Sequence, residues 1–251
     1  MNPRRALGLA RSMWHYRRPG RLRGLLALYR PLVPAGGLAF DIGAHLGDRT
    51  RAFRRLGARV VALEPQPDFM RWLKRFHGRD GGVVLDARAV GAEPGRARLA
   101  LSETHPAVAT LSPDWRAEVS AGHTGFAGVE WPGSLEVAVT TLDALIEAHG
   151  VPDFCKIDVE GFEAEVLAGL SRPLPALSVE FVAGALHHAR ACVARLGELG
   201  DYRYNAVPGE QRRFLWADWA GPEAVVEWLG AGAGGLASGD LYAVRHDPTG
   251  G

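Results

Sequence analysis

Residues 38–47 read Leu-Ala-Phe-Asp-Ile-Gly-Ala-His-Leu-Gly and join a short apolar strand to a glycine-containing turn. An amphipathic segment follows the turn, and the next apolar run, residues 59–63, is followed by Glu64. Glycine lets the backbone approach a ligand closely because it has no Cβ. An acid at the end of the second strand can accept hydrogen bonds from both hydroxyls of a ribose. The layout therefore predicts a pocket for a cofactor that contains a nucleoside.

Strand-like and helical patterns alternate along the chain after this turn. Strands are predicted at 38–42, 59–63, 83–90, 153–158 and 176–182, with helices between them at 48–57, 67–77 and 160–170. A helix at 186–199, strands at 202–207, 213–216 and 241–245, and a flexible Gly/Ala-rich connector at 230–239 complete the pattern. Short apolar strands separated by helices usually pair in parallel. The prediction is an α/β protein with a doubly wound, mostly parallel sheet and an antiparallel edge.

The N-terminal segment, residues 1–34, is predicted to be a basic helical arm. The first 40 residues contain eight Arg and no acid. The arm is predicted to form two short helices, the second at Arg21–Tyr29, which ends before a pair of prolines. Two interpretations stay open: a helical cap on the domain, or a contact with a membrane surface or an acidic partner protein.

Residues 35–251 are predicted to form the main domain, and residues 91–142 interrupt its alternating pattern. Two extra strands, at 96–101 and 135–139, flank a loop rich in Ser, Thr, His and Pro. Variable loops at the carboxyl edge of a sheet usually set substrate preference. We therefore expect this insertion to shape the binding site of the second substrate.

Composition limits the class of protein. The chain has 251 residues and a net charge of +1, but beyond residue 40 it carries 21 basic against 28 acidic residues. An acidic body opposes binding to phosphate backbones, so no nucleic-acid partner is expected. Cys155 and Cys192 are too few for a disulfide framework, and no apolar run approaches the roughly 20 residues that cross a bilayer. The expected setting is cytoplasmic.

The spacing of the glycines discriminates between cofactors. Dinucleotide-binding turns use three glycines as GxGxxG, whereas Gly43 and Gly47 fall as GxxxG and follow Asp41. A pyrophosphate beside Asp41 would meet like-charge repulsion, whereas an ammonium group would be attracted. S-adenosylmethionine carries an amino-acid tail, no phosphate, and a ribose for Glu64. It is the cofactor that the residues favour.

A second motif closes the fourth strand on an acid. The segment from Asp153 to Glu163 reads Asp-Phe-Cys-Lys-Ile-Asp-Val-Glu-Gly-Phe-Glu. Ligands of open α/β sheets bind outside the carboxyl ends of the strands, so Asp158 should face the same pocket as the first turn. A carboxylate at the end of an apolar strand needs a partner, which favours a functional role for Asp158 and for the neighbouring Glu160.

These two motifs together resemble one family. Asp41-x-Gly43-Ala44-x-x-Gly47, the Glu64-Pro65 strand end and the string Lys-Ile-Asp-Val-Glu-Gly-x-Glu at 156–163 look like the FkbM family of methyltransferases. The resemblance covers about residues 36–205. It implies a class I methyltransferase fold with a Rossmann-like sheet, S-adenosylmethionine as cofactor, and O-methylation of hydroxyls on sugars or other natural products.

The resemblance also implies roles for single residues. The expected cofactor-binding residues are Asp41, Gly43, Ala44, His45, Gly47 and Glu64. His45 stands where the family commonly has Asn. The expected catalytic residues are Asp158, then Glu160, then Glu180 at the end of the fifth strand. Because methyl transfer from a sulfonium needs mainly alignment and a general base, these carboxylates are base candidates. A divalent metal is not excluded, but no ligand spacing specifies one.

The leading hypothesis is an S-adenosylmethionine-dependent O-methyltransferase that acts on a small hydroxylated metabolite or a glycan. Two alternatives stay open at this point. One is an NAD-dependent oxidoreductase, which the glycine spacing disfavours. The other is a non-catalytic binding module recruited through the basic arm. The residues do not specify the oligomeric state.

Overall fold

The computed structural model describes Met13, residues 20–122, Phe126 and residues 128–246. All structural statements below concern these residues. The first helix predicted for the basic arm falls on residues that, apart from Met13, lie outside the described part. The second helix is present at Arg21–Tyr29, as predicted.

A seven-stranded sheet organises the chain. Its strands are β1 (Leu38–Ile42), β2 (Arg59–Leu63), β3 (Val83–Asp86), β7 (Phe154–Ile157), β8 (Ala176–Val182), β9 (Tyr202–Pro208) and β10 (Ser238–Arg245). They lie in the order β3-β2-β1-β7-β8-β10-β9. All pairs are parallel except those of β10, which runs antiparallel to both neighbours and lies one place in from the edge formed by β9. The predicted mostly parallel sheet is confirmed.

Helices cover both faces of the sheet because alternate strand residues point to opposite sides. In β1, Phe40 and Ile42 pack with one group of helices and Ala39 with the other. The first face carries α1 (Arg21–Tyr29), α2 (Asp48–Leu56) and α3 (Pro67–His77). The second face carries α5 (Leu142–His149), α6 (Glu163–Ala168), α7 (Leu186–Leu199) and α8 (Pro222–Gly230). The arrangement is doubly wound, as expected.

The insertion forms a small sheet of its own, as the extra predicted strands indicated. Its strands are β4 (Ala89–Val90), β5 (Gly95–Leu101) and β6 (Gly133–Thr140), and they lie in the order β4-β6-β5. The loop between β5 and β6 also contains a 3-10 turn at Pro106–Val108 and helix α4 (Pro113–Gly122), which the sequence did not predict. Only Trp115 and Val119 of α4 are buried, so the helix has too narrow an apolar stripe to be recognised by periodicity.

Two predicted elements had wrong boundaries. The strand predicted at 83–90 divides into β3 and β4, because the Asp86 carboxylate accepts the backbone N–H of Arg88 and turns the chain. The helix predicted at 160–170 begins only at Glu163. Glu160 and Gly161 have φ angles of 57° and 84°, which are left-handed and cannot lie within an α-helix.

Two further predictions fail after β9. No strand forms at residues 213–216: the segment is held instead by the backbone bond from Leu215 to Ala206 and by the side chain of Asn205. The connector predicted at 230–239 is ordered into the end of α8, a 3-10 turn at Ala233–Gly235 and the start of β10. Ala233 is fully buried there and anchors the stretch to the core.

Helix α1 belongs to the same core as the sheet. Leu25, Leu28 and Tyr29 are buried against α2 and the first face of the sheet. The guanidinium of Arg21 is buried and pairs with Asp48 at 2.8 Å. The domain boundary predicted at residue 34 therefore separates two segments that share a core. This packing matches the interpretation of this helix as a cap on the domain.

We predict that Gly43→Ala unfolds the carboxyl edge of the sheet. Gly43 has a φ of 78°, and a Cβ there would collide with the backbone oxygen of Asp158 on the neighbouring strand end. The backbone conformation alone costs about 1–3 kcal/mol for a residue with a Cβ, and the collision adds to it. Urea denaturation should show a loss of at least this size.

The matched control is Gly197→Ala. Gly197 lies inside α7, and no atom lies within 4 Å of a Cβ built there. Because alanine favours a helix interior over glycine by about 1 kcal/mol, this variant should be as stable as the wild type or more so. Equal stability of the two variants would contradict the proposed close approach at Gly43.

Candidate active site

A cavity opens at the carboxyl ends of β1, β2 and β7. This is the edge at which doubly wound sheets bind ligands. The insertion closes the cavity from the other side with the small side chains of Ala107 and Ala109. The main-sheet residues that line it are Ile42, Gly43, His45, Leu63, Glu64, Pro65, Gln66, Asp158, Val159, Glu160 and Phe162.

Glu64 lies in the wall of the cavity and is held in a fixed orientation. One carboxylate oxygen accepts the backbone N–H of His45 at 2.9 Å, and the other accepts that of Gln66 at 2.8 Å. Burial raises its pKa to about 7, against the lowering effect of these two bonds. Each carboxylate oxygen can accept a second hydrogen bond. Glu64 can therefore still receive hydroxyl donors from a ligand in the cavity.

His45 occupies the turn after β1 in a left-handed conformation with a φ of 51°. Histidine is one of the few residues other than glycine found in this region with some frequency. Its ring packs against Phe69 of α3, with ring centroids 3.9 Å apart. Burial lowers the pKa of His45 to about 4, so the ring is neutral near pH 7. His45 presents a neutral ring and a fixed backbone to the cavity.

Asp41, Ala44 and Gly47 do not line the cavity, although they were expected to bind the cofactor. The buried carboxylate of Asp41 accepts a hydrogen bond from the Thr50 hydroxyl at 2.5 Å. Ala44 is buried in the apolar cluster of the first face, and Gly47 precedes the first turn of α2. Asp41 points to the first face because odd-numbered residues of β1 do so. These three residues therefore lie beneath the residues that line the cavity and do not line it themselves.

Lys156 carries a buried charge under the carboxyl edge of the sheet. Its side chain is only 2% exposed, and its ammonium lies 2.5 Å from Asp158 and 3.9 Å from Asp240. Burial alone would lower the pKa of Lys156, but these carboxylates raise it above its ordinary value. Arg49 of α2 lies 3.8 Å from Asp240. Asp240 is therefore close to two cations, Lys156 and Arg49.

The strand register explains why these groups meet. Asp41, Lys156 and Ser178 are paired neighbours on β1, β7 and β8, and Glu180 is paired with Asp240 on β10. Side chains two residues apart on a strand share a face. Asp158 and Glu180 therefore lie one step further toward the carboxyl edge than Lys156 and Ser178. The side chains of these paired residues therefore form a row of polar groups across neighbouring strands, on one face of the sheet.

Asp158, Glu160 and Glu180, the three expected catalytic residues, are brought together, with ligand oxygens within 4.8 Å of one another. Although burial works against it, Lys156 holds the pKa of Asp158 below its ordinary value. Burial and the neighbouring carboxylates raise the pKa of Glu160 and of Glu180 well above theirs. Like charges this close do not all ionise together. The cluster therefore combines an acid that ionises more readily than usual with two acids that hold their proton more tightly than usual.

The segment 159–161 is held in an irregular conformation by its neighbours. The Thr110 hydroxyl donates to the backbone oxygen of Glu160 at 2.6 Å. The Glu163 carboxylate accepts the backbone N–H of Val159 at 2.9 Å. Gly161 is required because a Cβ there would collide with the ring of Trp115. The insertion and α6 thus fix Glu160 from two sides.

The structure adds residues to those that the sequence singled out. The sequence showed Lys156 as the cation of the second motif. Its contacts with Asp158 and Asp240 depend on the register of the neighbouring strands, which only the structure gives. Asp240 and Arg49 lie far from that motif in the sequence, and nothing in their local patterns marks them. The oxygen atoms of the acidic cluster are also ligands of the kind that hard divalent cations take, so metal-assisted deprotonation stays open as a second mechanism.

Seven strands in this order, with helices on both faces, make up the fold expected of a class I methyltransferase. The family profile described as the methyltransferase FkbM domain matches residues 41–197. The chain belongs to this family. The predicted family, fold, enzyme class and cofactor are confirmed, and the alternatives of an oxidoreductase and a non-catalytic module are set aside. Residues 198–246, which include Asp240, lie outside the matched range.

A curated relative is the hexuronic acid methyltransferase AglP from Haloferax volcanii, which is 29% identical over 150 residues. The match covers 59% of this chain, and the chain spans about half of the relative, 55% of its length. Among solved structures, precorrin-6y C5,15-methyltransferase from Geobacter metallireducens is 13% identical with a TM-score of 0.47, over 90% of this chain and 87% of that one. An S-adenosylmethionine-dependent O-methyltransferase from Thermotoga maritima is 10% identical with a TM-score of 0.43, over 88% and 64%.

Within the described ranges, no helix is both long and apolar enough to pass through a bilayer.

We predict that Glu163→Gln changes the pH dependence of stability. Burial raises the pKa of Glu163 from 4.5 to about 7, so the folded state binds this proton more tightly than the unfolded chain. The stability that this tighter proton binding gives the folded protein is present below about pH 4.5 and is lost as the pH rises through about 7. Glutamine does not titrate, so the variant does not lose stability in this way. The melting temperature of the variant minus that of the wild type should therefore increase between about pH 5 and pH 8.

The control is Glu165→Gln, an exposed position on the same helix. Its melting temperature should follow that of the wild type in parallel over the same range. If the curve for Glu163→Gln is also parallel to the wild type, Glu163 does not hold a raised pKa in the folded protein.

Proposed function

We propose that this methyltransferase transfers the methyl group of S-adenosylmethionine to a hydroxyl oxygen of a small acceptor, and that the acceptor is a sugar or a similar polyol. The observation that carries the proposal is the acidic cluster of Asp158, Glu160 and Glu180 beside the cavity that contains Glu64. A hydroxyl acceptor must lose its proton as the new bond forms, and the cluster offers several carboxylates for this purpose.

The residues that line the cavity match the chemical groups of S-adenosylmethionine. Glu64 can accept the ribose hydroxyls, as at the second strand end of other nucleoside-binding sheets. The cavity wall also offers apolar surface from Leu63, Val90 and Leu99, which suits a planar base. When bound, S-adenosylmethionine supplies an electrophilic methyl group. The remaining requirement on the protein is to align the acceptor oxygen with it and to take up a proton.

Glu160 is the carboxylate best suited to act as the general base. It lines the cavity, and its raised pKa gives it a stronger affinity for a proton than an ordinary glutamate. Asp158, the first candidate from the sequence, has a lowered pKa and is paired with Lys156. It fits a different role, which is to accept a hydrogen bond from the acceptor and orient it. Glu180, close to both, can share the cluster's proton.

Two observations support a polyol acceptor. Carboxylates are hydrogen-bond acceptors, so three of them in one cluster match an acceptor that carries several neighbouring hydroxyl donors. The curated relative is, by its name, a methyltransferase of hexuronic acid. A natural product that carries a sugar or a diol has the same chemistry at the reacting atoms. The proposal that nucleic acid is not the acceptor rests on the acidic balance of the chain beyond residue 40.

The proposal is tested by incubating the protein with S-adenosylmethionine labelled in its methyl group and with panels of sugars, uronic acids, diols and primary amines. Label should appear as an ether on a hydroxylated compound. Transfer to nitrogen alone would contradict the proposed O-methylation, although the enzyme would remain a methyltransferase.

We predict that Glu64→Gln weakens binding of S-adenosylhomocysteine without unfolding the protein. The amide keeps one oxygen for a backbone N–H but loses an acceptor and the negative charge. Hydrogen bonds to charged groups contribute about 1.5–3 kcal/mol each, so the dissociation constant should rise by about tenfold to a hundredfold. Calorimetry measures the change. Glu93→Gln, at an exposed position in the insertion, is the control, and equal affinities of the two variants would remove Glu64 from the ribose site.

We predict that Glu160→Gln lowers kcat and leaves the affinity for S-adenosylhomocysteine within about threefold of wild type. Loss of a general base costs about 10²–10⁴-fold in rate. Because a base with a raised pKa ionises only as the pH rises, wild-type kcat should increase toward alkaline pH, and the variant should lose this dependence. Glu165→Gln serves as the control. Unchanged turnover in Glu160→Gln would contradict the assignment.

A further inference from the structure

A second cluster of ligand groups lies outside the acidic cluster, between the insertion and the main domain. Glu118 projects from α4, and His187 and His188 belong to the first turn of α7. The Nε2 atom of His188 lies 2.9 Å from one carboxylate oxygen of Glu118, and that of His187 lies 3.3 Å from the other. One ligand atom from each residue falls within 4.8 Å of the other two.

From this convergence we propose that Glu118, His187 and His188 form a binding site for a zinc ion or a similar first-row divalent cation. Zinc binds imidazole nitrogens and carboxylate oxygens at about 2.0–2.2 Å, which places tetrahedral ligand atoms about 3.4 Å apart. The observed separations of 2.9 and 3.3 Å need only small side-chain rotations to reach that value. Water would complete the coordination.

The two imidazole rings lie side by side, with their centroids 4.2 Å apart. Their Nε2 atoms approach different oxygens of the one Glu118 carboxylate. The ligand types, two His and one carboxylate, are those that zinc takes in proteins.

The three side chains remain accessible to an ion from solvent. Their exposed fractions are 30% for Glu118, 58% for His187 and 20% for His188. The acidic cluster of Asp158, Glu160 and Glu180 is a separate group of oxygen ligands. Because soft and borderline metals prefer imidazole and hard cations prefer oxygen, the two clusters should differ in the metal that they take.

The proposed site would join two parts of the fold that otherwise meet through an apolar contact. Trp115 and Val119 of α4 pack against Val182 and Ala185, just before α7 begins. Trp115 also lies against Gly161, next to Glu160. A cation bound by Glu118 and the two histidines would link α4 to α7 directly. The cation would therefore stabilise the position of α4, whose Trp115 contacts the segment that carries Glu160.

Zinc binding by the full chain, freed of any affinity tag and stripped with a chelator, is the test. Titration calorimetry with zinc chloride should show one saturable site in the wild type, and the double variant His187→Gln, His188→Gln should bind at least about tenfold more weakly. Circular dichroism checks that this variant is folded. His105→Gln, which changes an exposed histidine outside the cluster, should bind zinc as the wild type does.

The double variant Glu160→Gln, Glu180→Gln distinguishes the two clusters, because it removes acidic ligands, keeps the Lys156–Asp158 pair and should keep zinc binding. Circular dichroism checks that this variant is folded too. Cobalt(II) provides a second readout, since its absorption spectrum reports tetrahedral coordination by nitrogen and oxygen. Absence of saturable zinc binding in the wild type would overturn the proposal. So would binding that survives the loss of both histidines, or binding that is lost in the folded Glu160→Gln, Glu180→Gln variant.

Discussion

The carboxyl edge of this sheet depends on the ion pairs that the buried ammonium of Lys156 makes with Asp158 and Asp240. The ammonium lies next to Asp158 and 3.9 Å from Asp240, and the Lys156 side chain is only 2% exposed, so these two carboxylates rather than water balance its charge. Removing one partner of such a pair is costly, about 3–5 kcal/mol, because it leaves a buried charge without compensation. With Lys156 in place, an acidic site can exist at the end of a central strand. Its position also decides which acid is ionised, because Asp158 is nearest to it.

The same charge belongs to a chain of ion pairs that reaches the N-terminal helix. Asp240 lies between Lys156 and Arg49, and Arg49 pairs with Asp48 at 3.1 Å. Asp48 also pairs with Arg21, whose side chain is 5% exposed. The basic helix before β1 thus contributes a cation to the first face of the sheet. This gives part of the Arg-rich N-terminal segment a place in the fold itself.

Much of the fold followed from the sequence because its signals are local. The bounds of β1, β2, β8, α3 and α7 were predicted to the residue, since apolar runs and their stops mark them. Asp158, Glu160 and Glu180 could also be singled out from the sequence, because they lie at or near the carboxyl ends of two neighbouring strands. The structure brings them together, and their catalytic roles stay predictions. The sequence did not predict that the Asp41 carboxylate points away from the cavity. A motif identifies the residue, but the strand register and the hydrogen bond from Thr50 decide on which face of the sheet its carboxylate lies.

Contacts between distant segments explain what the sequence could not supply. Asp240 belongs to a strand that inserts antiparallel between two others, and its pairing with Glu180 is a product of topology. Helix α4 carries only two buried side chains, so it gains its stability from Trp115 packing on a glycine some forty-five residues away. The zinc site that we propose depends on the same long-range packing, because its ligands come from α4 and α7.

The central claim is that Lys156 keeps Asp158 ionised while Glu160 or Glu180 retains a proton near neutral pH. Infrared difference spectroscopy measures this directly, since a protonated carboxylic acid has a C=O stretch distinct from that of a carboxylate. At about pH 7 the difference between wild type and a Glu160→Gln, Glu180→Gln variant should contain the band of a protonated acid. A difference spectrum that contains only carboxylate bands would contradict the account.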